Sequence, residues 1–202
     1  MKSITYWHPS IYSFLIKLSY GRNYSKRYET IRNLIEEGSS VVDVCCGDCK
    51  MYEFLKEKKV KYTGLDSNSH FINIAQKKGI NARVFNMHED KIPEADYVLL
   101  LGSLYQFIPG HDRVLQKLFH AARKYLIISE TVKNYADSKS KVVSFISVML
   151  NNPGDGFKRD RFNIDTFREA IKPFRENIEK EFLTSGDLEY VVVVNKDGKR
   201  KS

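Results

Sequence analysis

One stretch of this 202-residue chain combines small, acidic and apolar residues in an order that suits a ligand-binding turn. It spans Val41–Gly47 and reads VVDVCCG. Gly47 suits a turn at the end of a strand, because it lacks a Cβ and lets a ligand approach the backbone. Asp66 follows 19 residues later, at the end of the second apolar run. Its carboxylate can accept both hydroxyls of a ribose, so the spacing predicts a site for a ribose-containing ligand.

The small residues of this stretch are not spaced for a dinucleotide. A dinucleotide site uses G-x-G-x-x-G to hold a pyrophosphate at a helix N-terminus. The equivalent positions here are Cys45, Gly47 and Lys50. We therefore expect an adenosine ligand without phosphates.

Alternating strands and helices must position these residues. Short β-branched runs alternate with helical patterns, which is typical of βαβ units and a mostly parallel sheet. The predicted strands are Val41–Cys46, Val60–Leu65, Ala82–Phe85, Asp96–Leu101, Tyr125–Ser129, Ile178–Leu183 and Glu189–Val194. The last two flank a turn at 185–187 and form a hairpin. The expected fold class is α/β: a Rossmann-like, seven-stranded, mostly parallel sheet with helices on both faces and a C-terminal antiparallel hairpin.

Helical periodicity and capping residues predict the helices between these strands. The predicted helices are Tyr12–Leu18, Tyr24–Glu37, Lys50–Lys58, Ser67–Lys78, Asp112–Arg123, an inserted helix Ser138–Leu150, and one that begins at Thr166. Ser67 or Asn68 is the expected cap of its helix. Thr166 and Glu169 have the spacing of a capping box.

Taken together, these motifs resemble those of the class I S-adenosylmethionine-dependent methyltransferase family. The family's first motif runs acidic-x-Gly-x-Gly-x-Gly, and this chain matches it at Asp43 and Gly47. Segments 63–68, 92–100 and 102–107 resemble the second motif, the fourth strand and the loop after it, and the resemblance covers most of residues 25–195. The chain departs from the pattern where Cys45 and Cys49 replace the outer glycines, since cysteine adopts positive φ less freely.

The resemblance implies one structural domain: a methyltransferase domain over 39–202, an N-terminal helical cap over 1–38, and an inserted helix and loop at about 131–163. It also implies S-adenosylmethionine as cofactor, S-adenosylhomocysteine as product, and no metal. The cofactor-binding residues that it implies are Asp43, Cys45, Cys46, Gly47, Asp66, Ser67, Asn68, Asn86, Met87, Leu101, Gly102 and Ser103.

The acceptor is expected to bind beside the fourth strand and the N-terminal helices. The candidate substrate-binding residues are Tyr24, Tyr28, Tyr105, Arg159 and Arg161. Tyr105 and His111 are the candidate catalytic residues, with His111 as a general base for an oxygen nucleophile. The reaction would be an in-line displacement that the enzyme catalyses mainly by positioning and by excluding water.

Composition leaves the acceptor open. A small molecule is favoured, because no separate nucleic-acid recognition module is visible. A net charge of +8 keeps RNA or protein as an alternative acceptor. A degenerate cofactor-binding scaffold without catalysis is a third hypothesis, and the oligomeric state is not predicted.

The three cysteines, clustered within 45–49, indicate a reducing compartment rather than a disulfide framework. Cys46 and Cys49 form a C-x-x-C pair, but a redox role would need a redox-type fold and a zinc site would need a second pair of ligands. We therefore favour simple packing for this pair. No signal peptide or membrane-spanning run is predicted, so we expect a cytoplasmic location.

Overall fold

Seven strands form one sheet in the computed structural model, which describes residues 21–132, 161–184 and 188–198. The strands are β1 (Ser40–Val44), β2 (Lys61–Asp66), β3 (Ala82–Val84), β4 (Ala95–Leu101), β5 (Ala122–Thr131), β6 (Ile178–Leu183) and β7 (Glu189–Asn195). Their order is β3-β2-β1-β4-β5-β7-β6. The first five are parallel, and β7 runs antiparallel to both β5 and β6. The predicted fold class, including the antiparallel C-terminal pair, is confirmed.

Helices cover both faces of this sheet. They are α1 (Tyr24–Leu34), α2 (Lys50–Leu55), α3 (Ser69–Lys77), α4 (His111–Ala121) and α5 (Ile164–Ile171). Short 3₁₀ turns lie at Gly21–Asn23, Lys56–Lys58, Leu104–Phe107 and Lys172–Asn177.

Alternate residues of each central strand pack on opposite faces of the sheet. In β1, Val42 and Val44 join a core cluster with α4 and α5, whereas Val41 joins a second cluster with α1, α2 and α3. Because both faces are covered, the central strands are apolar almost throughout, as parallel strands in such folds are. The core therefore has two layers, one on each side of the sheet.

The strand order reverses between β1 and its neighbour β4. The chain moves outward from β1 to β2 and β3, and then returns to β4 on the other side of β1. In sheets of this kind, ligands bind in the crevice beyond the carboxyl ends of the strands at such a reversal. This geometry places the candidate site at the ends of β1, β2 and β4.

Several predicted element bounds were wrong, and each for a local reason. Helix α1 ends at Leu34 rather than Glu37, because Ile35 is already extended. The helix predicted to reach Arg123 ends at Ala121, because Ala122 pairs with Ala95 and begins β5.

The predicted capping box of α5 was also wrong by one helical turn. Asn163 is the N-cap, and its side chain accepts a hydrogen bond from the Thr166 N–H at 2.8 Å. The Thr166 hydroxyl accepts in return from the Asn163 N–H at 2.9 Å. Thr166 is thus the third residue of the helix rather than its cap. The expected cap at Asn68 is confirmed, since its side chain accepts from the first turn of α3.

Two predicted helices, Tyr12–Leu18 and Ser138–Leu150, and the hairpin turn at 185–187 lie outside the described residues. Within the described ranges, no helix has the length and apolar character needed to cross a bilayer.

Candidate functional site

The chain turns sharply at the carboxyl end of β1 through three left-handed residues. The φ angles of Cys45, Gly47 and Cys49 are +57°, +56° and +57°. A residue with a side chain adopts this region at a cost of about 1–2 kcal/mol, whereas glycine adopts it freely. The two cysteines therefore follow the backbone path of a glycine-rich turn under local strain.

Asp66, at the end of β2, is hydrogen-bonded to this turn. Its Oδ2 accepts from the Gly47 N–H at 2.8 Å, and its Oδ1 accepts from the Asn68 N–H at 2.8 Å. Burial raises the pKa of Asp66, and these two N–H donors oppose that rise. Each carboxylate oxygen has a second lone pair. A Cβ placed on Gly47 would meet no atom of the described residues within 4 Å, so open space borders the turn.

Asp43 supports the turn from inside β1. It is 3% exposed, and its Oδ2 accepts a hydrogen bond from the Tyr62 hydroxyl at 2.7 Å. Burial raises the pKa of Asp43 to about 7, against the lowering effect of the Tyr62 hydrogen bond. A cation bound nearby would favour the ionised form of this carboxyl.

The predicted neighbours of an adenine lie at the ends of β2 and β3. Ser67 is exposed next to Asp66, and the Asn68 side chain is engaged in capping α3. Beyond β3, the Asn86 side chain accepts from the His88 N–H at 3.0 Å, while Met87 is buried. Since β2 and β3 pair in parallel, these residues follow neighbouring strand ends on the same edge of the sheet.

The loop after β4 approaches the same edge from the other side of β1. Gly102 has a φ of +67°, and its N–H donates to the Ser129 carbonyl at 2.6 Å. The Ser103 hydroxyl donates to the Leu101 carbonyl at 3.5 Å. A Cβ placed on Gly102 would lie 3.4 Å from Arg27 Nη2, so the arginine of α1 reaches this loop.

Sequence reasoning missed a buried ion pair beside Gly102. Arg27 Nη2 lies 2.7 Å from Glu189 Oε1, and the two side chains are 10% and 2% exposed. The other oxygen of Glu189 accepts from the Ser129 hydroxyl at 2.9 Å. The signal available in the sequence was a single carboxylate at the start of the apolar run Leu188–Val194.

Glu130, near the end of β5, is a second buried carboxylate that the sequence did not single out. Its Oε2 accepts from the Tyr105 N–H at 3.2 Å, and its Oε1 accepts from the Thr131 N–H at 3.1 Å. Burial raises the pKa of Glu130 to about 7, while these N–H groups and the charge of Arg161 lower it. Glu130 thereby holds the loop after β4 against the end of β5.

Tyr105 and Arg161 are brought together, as candidate acceptor residues should be. The Arg161 guanidinium carbon lies 3.2 Å from the centroid of the Tyr105 ring. Tyr105 is 6% exposed, and burial raises its pKa. Arg159, the other candidate arginine, lies outside the described residues.

His111 begins α4 and lines a cleft of about 970 Å³ together with Arg161 and Phe162. Its ring meets the Phe162 ring edge-on, with 5.3 Å between centroids. Its Nδ1 is buried and has no hydrogen-bond partner among the described residues. His111 therefore borders the cleft, while its Nδ1 is enclosed by protein atoms.

Tyr24 and Tyr28 lie on α1, near the turn that follows β1. Their rings meet edge-on at 5.4 Å, and Tyr28 also stacks on Phe54 at 5.1 Å. Burial raises the pKa of both hydroxyls, and the charge of Asp48 in the turn adds to the rise. Both are therefore near the turn, as a covering element would be.

The site thus has two parts. One is the turn after β1 with the adjacent carboxylate of Asp66, and the other is the more enclosed group of Tyr105, Arg161 and His111 beyond β4. Such a site can hold a hydroxylated ligand at the turn and a second molecule beyond β4. Among the described residues, no group of three or more His, Cys, Asp and Glu side chains is placed to hold a metal ion.

A family model described as methionine biosynthesis protein MetW matches residues 25–142, which is more than half of the chain. No curated protein matches the chain in sequence.

Solved structures with the same fold are distant in sequence. Magnesium protoporphyrin IX methyltransferase from Synechocystis, solved with bound S-adenosylhomocysteine, has a TM-score of 0.66 at 15% identity over 90% of this chain and 85% of that chain. A chain of the Haloferax volcanii complex that contains the Trm112 methyltransferase activator also has a TM-score of 0.66, at 12% identity over 97% and 99%. A family 2 O-methyltransferase from Planctomyces limnophilus, in complex with apigenin, has a TM-score of 0.62 at 16% identity. Its match covers 91% of this chain but only 60% of that protein.

Proposed function

Since the chain belongs to the MetW family and has the fold of S-adenosylmethionine-dependent methyltransferases, we propose that it binds S-adenosylmethionine and transfers the methyl group to a small-molecule acceptor. The observation that carries this proposal is the pairing of the turn after β1 with Asp66. The Gly47 N–H holds the carboxylate at 2.8 Å, at the carboxyl ends of two adjacent parallel strands. Ligands bind at this place in open α/β sheets.

The residues present fit the adenosyl part of this cofactor. Asp66 would accept the ribose hydroxyls through its remaining lone pairs, and the open space beside Gly47 would admit the ligand. The backbone at Cys45, Cys46 and Gly47 would face the methionine end. Asp43 beneath it would complement a positive charge, since a nearby cation stabilises its ionised form.

We assign the other strand ends by their position. Ser67, Asn68, Asn86 and Met87 would border the adenine, with Asn68 contributing its backbone because its side chain caps α3. Leu101–Ser103 would lie beside the sulfonium. When bound, the cofactor supplies an electrophilic methyl group, and the chain's task is to orient an acceptor in line with it and exclude water.

We assign the acceptor to the side of β4 that faces Tyr105, Arg161 and His111. Tyr105 is fixed by Glu130 and stacked by Arg161, so it offers a rigid wall. His111, which lines the cleft with Arg161, would take a proton from an oxygen nucleophile. Tyr24 and Tyr28 would cover the site. A small acceptor is supported by two fold neighbours, whose names give apigenin and magnesium protoporphyrin IX.

RNA or protein is the alternative acceptor, because the chain carries a net charge of +8. An RNA acceptor predicts binding that weakens steeply with salt, since phosphate neutralisation releases counterions. A scaffold without catalysis would bind the cofactor and transfer nothing. The three free thiols fit our proposal of a cytoplasmic location.

Calorimetric titration with S-adenosylmethionine and S-adenosylhomocysteine tests the cofactor site directly. We expect binding of both, and an affinity that falls by about 10- to 100-fold in Asp66→Ala, as loss of hydrogen bonds to a charged group implies. Asp165→Ala removes an exposed carboxylate in the first turn of α5 and is the matched control, with unchanged affinity. No binding at millimolar cofactor would overturn the proposed function, and equal affinity of the two variants would overturn the role of Asp66.

A further inference from the structure

The turn after β1, residues 45–49, is called the cofactor turn from here on, and it contains two thiols in direct contact. The Cys49 Sγ–H donates to Cys46 Sγ, with 3.3 Å between the sulfur atoms, and both cysteines are free. The sequence interpretation favoured packing for this C-x-x-C pair over a metal or redox role. Contact between the two sulfur atoms makes a covalent link available to them.

The neighbouring strand leaves room for this sulfur pair. A Cβ placed on Gly64 of β2 would lie 2.6 Å from Cys49 Sγ and 3.0 Å from Cys46 Sγ. Any side chain at this position would displace one or both thiols. Gly64 therefore keeps open the space that the two sulfur atoms share. The next residue of β2, Leu65, accepts a hydrogen bond from the Cys46 N–H through its carbonyl at 3.1 Å.

The backbone between the two cysteines is a tight turn. The Cys49 N–H donates to the Cys46 carbonyl at 3.0 Å, which is the hydrogen bond of a β-turn. Such turns bring their first and fourth Cα atoms within about 7 Å, and disulfides span Cα distances of about 4.4–6.8 Å. The sulfur atoms would have to close from contact distance to about 2.05 Å.

We propose that Cys46 and Cys49 are a redox modification site, and that a reversible disulfide between them weakens cofactor binding. The second half of this proposal rests on the proposed function. The oxidant is a low-molecular-weight disulfide such as glutathione disulfide. Cys46 thiolate attacks it and releases one glutathione thiol, and Cys49 then displaces the second. The balance is one oxidant disulfide and two protein thiols giving one protein disulfide and two glutathione thiols.

Exposure sets the order of these steps. Cys46 is half-buried, whereas Cys49 is completely buried behind it. Cys46 is therefore the thiol that meets the oxidant, and Cys49 is the thiol that closes the bond. The hydrogen bond with Cys49 and burial both raise the pKa of the Cys46 thiol, so the exchange is slow near neutral pH and has to be followed to equilibrium.

The bond would act on the cofactor turn because it encloses Gly47. Closing the sulfur gap moves Cys49 and Cys46 toward each other, and the segment between them carries the Gly47 N–H that holds Asp66. Losing that hydrogen bond to a carboxylate corresponds to roughly a tenfold loss of affinity.

Cys45 provides an internal control. Its side chain packs against the core cluster on one face of the sheet, and the Cys46–Cys49 pair packs against the cluster on the other face. Cys45→Ser therefore makes the same chemical change without touching the pair. Cys49→Ser removes one partner while it keeps the size of the side chain.

The experiment equilibrates the full chain at about pH 8 in glutathione buffers of increasing oxidised fraction. Peptide mapping by mass spectrometry identifies the bond, and calorimetry measures S-adenosylmethionine affinity before oxidation, after oxidation and after dithiothreitol. We expect a Cys46–Cys49 disulfide in wild type and in Cys45→Ser alike, and in wild type a roughly tenfold weaker affinity with full recovery on reduction. Cys49→Ser should form only a mixed disulfide at Cys46, visible as the added mass of glutathione.

Three results would contradict the proposal. Free thiols at 46 and 49 in excess oxidant, or a bond that involves Cys45, would overturn the modification site. A Cys46–Cys49 bond with unchanged affinity would overturn its effect on the cofactor. A bond that forms in a chain whose reduced form does not bind S-adenosylmethionine would support the modification site, and would overturn the proposed function together with the regulatory half.

Discussion

The two sides of the candidate site hold their carboxylates in different ways. Beside the turn after β1, Asp66 and Asp43 accept hydrogen bonds from backbone N–H groups and a tyrosine hydroxyl. Where β5 ends and β7 begins, Glu189 forms a buried ion pair with Arg27, and Glu130 lies near the charge of Arg161. The carboxylates beside the turn after β1 are thus held by hydrogen-bond donors, whereas those where β5 ends and β7 begins lie with the cations of the chain itself.

The largest expected effect tests the buried ion pair of Arg27 with Glu189. Arg27→Ala leaves the Glu189 carboxylate buried without its guanidinium partner, which costs about 3–5 kcal/mol when such pairs are broken. We expect this loss in the free energy of unfolding, measured by urea denaturation. The double variant Arg27→Met with Glu189→Gln removes both charges and should regain most of the loss.

The control for this change is a surface pair. Lys59 and Glu37 lie 3.5 Å apart with side chains 82% and 66% exposed. Lys59→Ala should change stability by no more than about 1 kcal/mol, because solvent screens exposed pairs. If Arg27→Ala proves as mild as Lys59→Ala, the contrast between the two sides of the site loses its basis.

How much of each side the sequence predicted depends on how far apart along the chain the interacting residues lie. The cofactor turn and Asp66 were predicted, because a strand, a turn and the next strand end lie within about 25 residues and have a recognisable spacing. The ion pair of Arg27 with Glu189 joins α1 to the last strand, and no local pattern encodes such a contact. The length of β5 was missed for the same reason, since its first residues extend a strand by pairing with Ala95.

The next prediction compares the titration of one carboxyl from each side. In the unfolded chain, Asp43 loses its proton near pH 3.9, whereas in the folded chain its pKa is raised to about 7. Between these values the folded state binds the extra proton, so this group makes the free energy of unfolding fall as pH rises from about 4 to 7. Asp43→Asn should lack this slope. Its free energy of unfolding should therefore rise relative to that of wild type by on the order of 2–4 kcal/mol between pH 4 and 7.

Glu130→Gln in β5 is the variant to compare with Asp43→Asn in β1. Burial also raises the pKa of Glu130 in the folded chain to about 7. The free energy of unfolding of Glu130→Gln, relative to that of wild type, should therefore rise with pH in the same direction. Urea denaturation at pH 4.5, 6 and 8 measures both slopes. If the free energy of unfolding of Asp43→Asn ran parallel to that of wild type across this pH range, the Asp43 carboxyl would have an ordinary pKa in the fold. That result would contradict the proposal that a cofactor cation ionises it.

The smallest effect concerns the strained backbone of the cofactor turn. Cys45 has a φ of +57°, so Cys45→Gly should be more stable than Cys45→Ala by about 1 kcal/mol, because only glycine adopts this region without strain. Both variants remove the same sulfur atom, and their difference therefore isolates the backbone. At an ordinary helical position the order is reversed: Gln116→Gly, exposed within α4, should be less stable than Gln116→Ala by a similar amount. If the Gly variant is the less stable of the two at both positions, Cys45 is not strained. If the Gly variant is the more stable at position 45 alone, the chain has a cysteine in the turn where glycine would be more stable.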